Sequence, residues 1–330
     1  MTAAQRARAP AARALTPPVV DLRIGAIRRC PVAYRVKHSD SDATASLRRI
    51  ARDQVTAALR SIDHAQDDTV SAIHDVRKRC KKIRGLLRLV RPSFDGYRDE
   101  NAAFRDIAAT LGPMRDADVL IDAFDALDTA GSAESGTLEP VRAQLHARRV
   151  HLEHEQDSEA LLQGAHEALT AALLRIEHWQ LSRKGFGAFE AGLESSYRRG
   201  RKAMHTACRK GEDAAFHAWR KRCKEHGFHL RLLRPIWPGP MRAEHDCASE
   251  LGELLGLHHD LAVLASGVRV MPDIDPATAE TLSGRIATQQ QELARRACSL
   301  GARLYALPPA ALAKSWRRRH AAWRRDPDAG

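Results

Sequence analysis

The stretch His74–Pro92, HDVRKRCKKIRGLLRLVRP, decides how the chain reads. Ile73, Val76, Cys80, Ile83, Leu87 and Val90 follow one another at steps of three and four. That is the spacing of one buried face of an α-helix, not the alternation of a strand. His74, Arg77, Lys81, Arg84, Arg88 and Arg91 keep the same rhythm one residue later. At roughly 100° per residue this sets a basic stripe beside the apolar seam. Like charges one turn apart cost a helix roughly 0.2–0.5 kcal/mol per pair, so five such steps cost about 1–2 kcal/mol. A bound anion, or acidic residues on neighbouring helices, must offset that cost.

The same stretch returns at His217–Pro235, HAWRKRCKEHGFHLRLLRP, with 11 of 19 positions identical at an offset of 143. Phe216, Trp219, Cys223 and Leu230 form its expected seam, with His217, Arg220, Lys224, Arg231 and Arg234 alongside. A second element follows each copy: Leu111-Gly112-x-x-Arg115-Asp116-x-x-Val119-Leu120, and then Leu255-Gly256-x-x-His259-Asp260-x-x-Val263-Leu264. Two matches in the same order indicate an internal duplication. A solvated face needs charge only, not the same residue type at each turn, so the repetition favours a ligand over a salt-bridged inter-helix face.

Working outward, breaks fall at Arg91–Pro92, Gly112–Pro113, Gly131–Gly136, Gly185–Gly187, Pro235–Pro240 and Pro272–Pro276. The segments between them are rich in Ala, Leu, Arg and Glu at helical spacing. The expected fold is all-α, two pseudo-symmetric antiparallel helical bundles. The expected limits are a flexible basic tail over 1–41, a first repeat over about 42–180, a second over about 187–306, and a basic tail over 307–330.

The formal net charge of +12 understates the field, because charge is segregated along the chain. Residues 70–92, 197–210 and 214–235 carry 8 basic to 1 acidic, 6 to 0 and 6 to 1 respectively, a sum of +18. The remainder of 42–311 is therefore −16. Of 53 basic residues 43 are arginine, the side chain whose planar fork matches phosphate and carboxylate oxygens. Aromatics at 5% argue against a reader that stacks nucleic-acid bases. No apolar run approaches the roughly 18 residues of a membrane span.

The pattern His-x-x-Arg-x-x-x-Lys-Lys-x-Arg at His74, Arg77, Lys81, Lys82 and Arg84 resembles the CHAD domain (conserved histidine α-helical domain). So do its echo at His217, Arg220, Lys221 and Lys224 and the two Leu-Gly…Asp elements. The resemblance covers roughly 42–306 and implies a binder of inorganic polyphosphate that is not an enzyme and has no cofactor. It implies contacts from His74, Arg77, Lys78, Lys81, Lys82, Arg84 and Arg88 in the first copy. In the second it implies His217, Arg220, Lys221, Lys224 and Arg231, with Arg198, Arg201 and Lys202 from a preceding basic helix. Glu225 stands where the first copy has Lys82, and Gly227 where it has Arg84, so the second stripe is interrupted. A cytoplasmic setting, at polyphosphate granules, goes with this reading.

Other readings of the same residues stand beside it. The pairs His74-Asp75, His245-Asp246 and His259-Asp260 would suit a metal-dependent phosphohydrolase, although Asp75 becomes Ala218 in the second copy. Asp75 also reads as an acid at the opening of a helix, and His259-Asp260 as a cap at the start of one. His151, His154 and Glu155 could ligate a metal, or lie on a solvated helix face. General polyanion or nucleic-acid binding is a further alternative. Residues 1–20 suit a flexible tail or an Arg-rich transit segment. Leu312–Arg325 could dock on the bundle, lie on an anionic surface or stay free. The six cysteines form no C-x-x-C pair and are expected as reduced thiols with no zinc site.

Overall fold

The computed structural model describes residues 33–327 apart from 67, 113–119, 126, 128–138, 156, 270 and 272–273, and for 151–155 the backbone alone. Helices α1 (Ala43–Asp63), α2 (Thr69–Val90) and α3 (Tyr97–Thr110) come first. They are followed by α4 (Glu139–Glu155) and α5 (Ser158–Ile176). Then come α6 (Gly187–Lys210), α7 (Asp213–Leu233), α8 (Pro238–Val268), α9 (Pro276–Leu304) and α10 (Pro309–Trp323). No described residue is in a strand, and the fold is all-α. No helix among the described residues is long and apolar enough to cross a membrane.

The ends of the helices follow from local chemistry. Asp42, Asp68, Asp157 and Asp275 each accept a bond from a backbone N–H in the first turn of α1, α2, α5 and α9, satisfying one orphaned donor apiece. Gly211 stops α6 at a φ of 71°, a left-handed conformation that glycine adopts without a Cβ penalty. Each stripe helix runs into a short 3-10 turn, Arg91–Ser93 after α2 and Arg234–Ile236 after α7, with proline at its start. Helix, helix, turn, helix therefore recurs at the offset of 143 seen in the sequence.

Packing runs α1 on α2, α2 on α3 and α1 on α5, and then α6 on α7, α7 on α8 and α8 on α9. The seams meet in the core as the spacing requires: Val76, Cys80, Ile83, Leu87 and Val90 of α2 have no exposure, nor do Trp219, Cys223 and Leu230 of α7. Burial pushes the Cys80 and Cys223 thiols up to about 12, so both remain protonated. The two stripe helices cross where Gly85 faces Phe228, positions again 143 apart, and the His229 Nε2–H donates to the Gly85 carbonyl at 3.0 Å. Helix α6 crosses α2 at Gly192, where a Cβ would lie 1.8 Å from the Leu89 carbonyl oxygen.

Several expectations need correction. The end of the supposed N-terminal tail is part of the fold: Tyr34 and Val36 are buried, the Val36 N–H donates to Leu232 O at 3.0 Å, and Asp40 receives a two-pronged Arg49 pair. Of the alternatives left open for the C-terminal segment the docked one holds, because α10 lays Leu312, Trp316 and Trp323 against the core. Helix α8 runs unbroken through Leu255–Asp260, so His259-Asp260 lies inside a helix and not at its start. Asp75 lies a full turn beyond the opening of α2, whose cap is Asp68.

The cysteine expectation also fails in one place. Cys208 of α6 and Cys298 of α9 form a disulfide, whereas Cys80, Cys223 and Cys247 are free. No short motif announces a pair 90 residues apart on two helices. Cross-linking a loop of that length restricts the unfolded chain and typically contributes about 2–4 kcal/mol. Cys208→Ser is expected to lower the urea midpoint accordingly, and a reducing agent should lower the parent protein to the same value. A midpoint insensitive to both would remove the bond from the account.

Candidate polyanion-binding face

On α2 His74 and Lys81 of the stripe are exposed, with Lys78 exposed beside them, Arg77 and Arg84 partly covered, and Arg91 exposed just past the helix end. On α7 they are Lys221, Lys224 and Arg231, with His217 and Arg220 partly covered. In both halves a glycine follows beneath the stripe arginine: Gly112 just past the end of α3, and Gly256 within α8. A Cβ on Gly112 would lie 3.1 Å from Arg77 Nη1, and one on Gly256 3.6 Å from Arg220 Nε. Gly252, one turn back in α8, leaves the same room 3.9 Å from the Lys224 stem. The two sequence motifs, 143–144 residues apart in each case, thus meet in space: Leu-Gly gives the guanidinium a smooth bed. Arg77 also donates to the Ala108 carbonyl at 3.2 Å, which fixes its orientation at the end of α3.

Two expected contacts turn away from solvent. Lys82 is only 7% exposed, lies 3.5 Å from Gln54 Oε1 and sits beneath the Tyr34 ring. Burial, with Arg231, Arg79 and Lys78 adding to it, lowers its ammonium to about 8. Arg88 points to the buried Glu225 carboxylate at 3.7 Å. Arg84 reaches Asn101 of α3 at 3.3 Å.

Glu225, which the sequence shows as an interruption of the second stripe, is the anchor of that charge cluster. It accepts from Ser196 at 2.6 Å, Arg199 at 2.9 Å and Arg222 at 3.2 Å. Burial alone would push its carboxyl up. His229, the Ser196 hydroxyl and the Arg88 and Arg199 guanidinium groups outweigh it and bring the carboxyl down to about 2. The equivalent crossing in the other half brings Arg231 toward Lys82 instead, a like-charged pair. The two halves are therefore electrostatically unequal at their junction.

The stripe histidines do not act alike. His217 stacks on His259 with ring centroids 3.8 Å apart. Burial, then His259, Lys221 and Arg220, pushes it down to about 4, so it is neutral at pH 7. His74 is exposed. His226 lies fully buried among Tyr197, Tyr305 and Trp316, with neither ring nitrogen hydrogen-bonded among the described residues, and burial takes it to about 3. His320 of α10 falls to about 4, by burial and then Arg324.

These groups give stability a definite pH dependence. In the unfolded chain each histidine takes a proton below about pH 6.5, whereas the folded protein refuses it until pH 3–4. The unfolded state then binds more protons, so stability falls as the pH drops through this window. Glu225 adds to the loss only below the ordinary carboxylate range, where its pairing is lost as pH falls toward 2. The urea midpoint is expected to be lower at pH 5 than at pH 7.5, and His226→Phe should shrink the difference. An unchanged difference in that variant would exonerate His226.

The third basic element is α6. Arg198, Arg201, Lys202, His205, Thr206 and Arg209 line an open groove of about 570 Å³, with Pro309 of α10 also in its lining. No α2 or α7 residue lines it. His205 and Arg209 continue the expected α6 set, and their 4-3-4 spacing from Arg198 and Lys202 was present in the sequence as a signal.

Asp75, one of the residues considered for metal chemistry, is otherwise engaged. It accepts from Arg79 at 2.6 Å and from Ser61 at 2.7 Å, so it is held within a structural pair. Among the described residues no group of His, Cys, Asp and Glu is placed to hold a metal. The side chains of His151, His154 and Glu155, and the Arg115-Asp116 pair, lie outside the described residues.

Comparison with known proteins agrees with this architecture. PptA from Streptomyces chartreusis, a solved structure, is 16% identical with a TM-score of 0.54. The match covers 80% of this chain and 100% of that one, and at this identity it shows the shared fold. No curated protein matches the sequence. The CHAD domain family, known for binding polyphosphate, has a family model that matches residues 49–269. That match spans two thirds of the 330 residues and includes both stripe helices and both Leu-Gly elements: the chain belongs to the CHAD domain family.

Proposed function

We propose that this protein binds inorganic polyphosphate without turning it over, through the exposed basic residues of α2 and α7 and the basic face of α6. The observation that carries this reading is the paired seat: in each half a stripe arginine lies over a glycine, Gly112 after α3 and Gly256 in α8, flanked by exposed lysines. Arginine forks and lysine ammonium groups contact phosphoryl oxygens without having to distinguish one unit from the next. The contacts assigned are His74, Arg77, Lys78, Lys81, Arg84, Arg198, Arg201, Lys202, His217, Arg220, Lys221, Lys224 and Arg231. Lys82 and Arg88 serve instead to support the junction. His217 acts as a neutral hydrogen-bond donor.

Asp75 is occupied by Arg79 and Ser61, which argues against a hydrolytic dyad with His74. The test is incubation with long-chain polyphosphate and a divalent metal, reading both bound polymer and released phosphate. Retention of polymer with no phosphate release is expected; turnover lost in Asp75→Ala would establish the enzyme instead. Polyphosphate granules are the setting we propose, supported by family membership. Reduced thiols would have suited a cytoplasmic setting, and the Cys208–Cys298 bond removes that support.

A further inference from the structure

We propose that the groove between α6 and the start of α10 is an oligophosphate site in its own right, able to hold a short linear phosphate chain without the α2 and α7 stripes. This rests on the polyphosphate reading and assigns a ligand length to one part of the surface. Arg198, Lys202, His205 and Arg209 succeed one another at 4-3-4 spacing, one turn each, with Arg201 beside them. Over the 11 residues from Arg198 to Arg209 the helix rises roughly 16 Å. A single phosphate reaches one turn of this ladder; a chain of three or more units reaches several.

The electrostatics favour an anion here. No acidic residue lines the groove. Arg198 is paired with Glu194 of its own helix, whereas Arg201, Lys202, His205 and Arg209 have no acidic partner among the described residues. The amino end of α10, a helix of 15 residues, reaches the groove at Pro309 and contributes the positive end of its dipole. That helix lies beyond the segment matched by the family model, which ends at 269. The lining includes no Phe, Tyr or Trp ring; the His205 imidazole is its one aromatic group, beside the arginines, Lys202, Thr206 and Pro309. A nucleobase finds only the His205 imidazole and the arginine planes to stack on, so the basic groups favour phosphate oxygens, and the ATP titration separates the two contributions.

Titration calorimetry with orthophosphate, tripolyphosphate, ATP and long-chain polyphosphate tests this on the full chain. The variants are Lys202→Glu/Arg209→Glu in the groove and Lys221→Glu/Arg231→Glu on α7, all exposed positions, with thermal melting to confirm folding. Tripolyphosphate is expected to bind the parent at least tenfold more tightly than orthophosphate and no more weakly than ATP. The groove variant should lose at least tenfold in tripolyphosphate affinity and the α7 variant less than threefold, while long-chain polyphosphate weakens in both. Equal loss of tripolyphosphate binding in the two variants, tighter ATP binding, or no tripolyphosphate binding alongside tight long-chain binding would each overturn the separate site. Absence of long-chain binding to the parent would overturn the underlying polyphosphate reading instead.

Discussion

Lys78→Glu/Lys81→Glu/Lys221→Glu/Lys224→Glu is expected to lower affinity for long-chain polyphosphate by about three orders of magnitude at 0.1 M salt. The figure follows from about 0.7 of a log unit per neutralised phosphate, the counterion-release value for flexible nucleic-acid strands. The four lysines are exposed at one helical turn from their neighbours, so reversal leaves the buried seams untouched. The slope of log affinity against log salt should become shallower by about 3 for the same reason. Arg318→Glu/Arg325→Glu, at exposed positions on α10 and just past its end, reverses half as many charges and lies outside both stripe helices. Its expected loss is under tenfold. Equal losses in the two variants would mean that net charge, not the stripes, determines binding.

Gly192→Ala is expected to destabilise the protein by about 5 kcal/mol, or to prevent it from accumulating folded. Its Cβ would sit 1.8 Å from Leu89 O and 2.6 Å from the Leu89 carbonyl carbon. Both are backbone atoms of α2 and cannot rotate away, so the two helices must separate. The consequence reaches function, because α6 carries the groove and α2 the first stripe. Gly164→Ala is the contrast: it lies in α5 with nothing within 4 Å, and should be neutral or stabilising by up to about 1 kcal/mol. Urea unfolding of the two variants checks the pair; a cost below about 1 kcal/mol at Gly192 would contradict the close crossing of α2 and α6.

The helices and the stripe were legible because two periodicities run in parallel along one segment and return 143 residues later. A 3-4 pattern specifies which residues share a face, but not how many faces are covered. Lys82 shows the difference. It lies next to Ile83 of the seam, and it becomes buried because the segment around Tyr34 packs over that side of α2. Nothing in the local pattern around Lys82 announces a contact with a residue 48 positions earlier. Arg88 has the same history: its spacing puts it on the stripe, and Glu225 from the other half draws it inward.

Glu225 itself reads in the sequence as a loss of charge from the second stripe. Only the crossing of α2, α6 and α7 turns it into the common partner of Arg88, Arg199 and Arg222. The docking of α10 depends on tertiary contact in the same way, since Leu312, Trp316 and Trp323 suit a bundle or a membrane surface equally well. The glycines are an intermediate case. Leu-Gly was visible twice, but its purpose as a bed for Arg77 and Arg220 appears only when α8 and its first-half counterpart are placed beside the stripes.

The central claim is that the duplicated stripes recognise a phosphate polymer and not polyanions in general. Competition of long-chain polyphosphate with double-stranded and single-stranded DNA for the full-length protein, at equal salt and equal concentration of phosphate, tests it most directly. Polyphosphate is expected to displace either DNA at substoichiometric phosphate, with DNA unable to displace polyphosphate. Displacement of polyphosphate by DNA on equal terms would contradict the account.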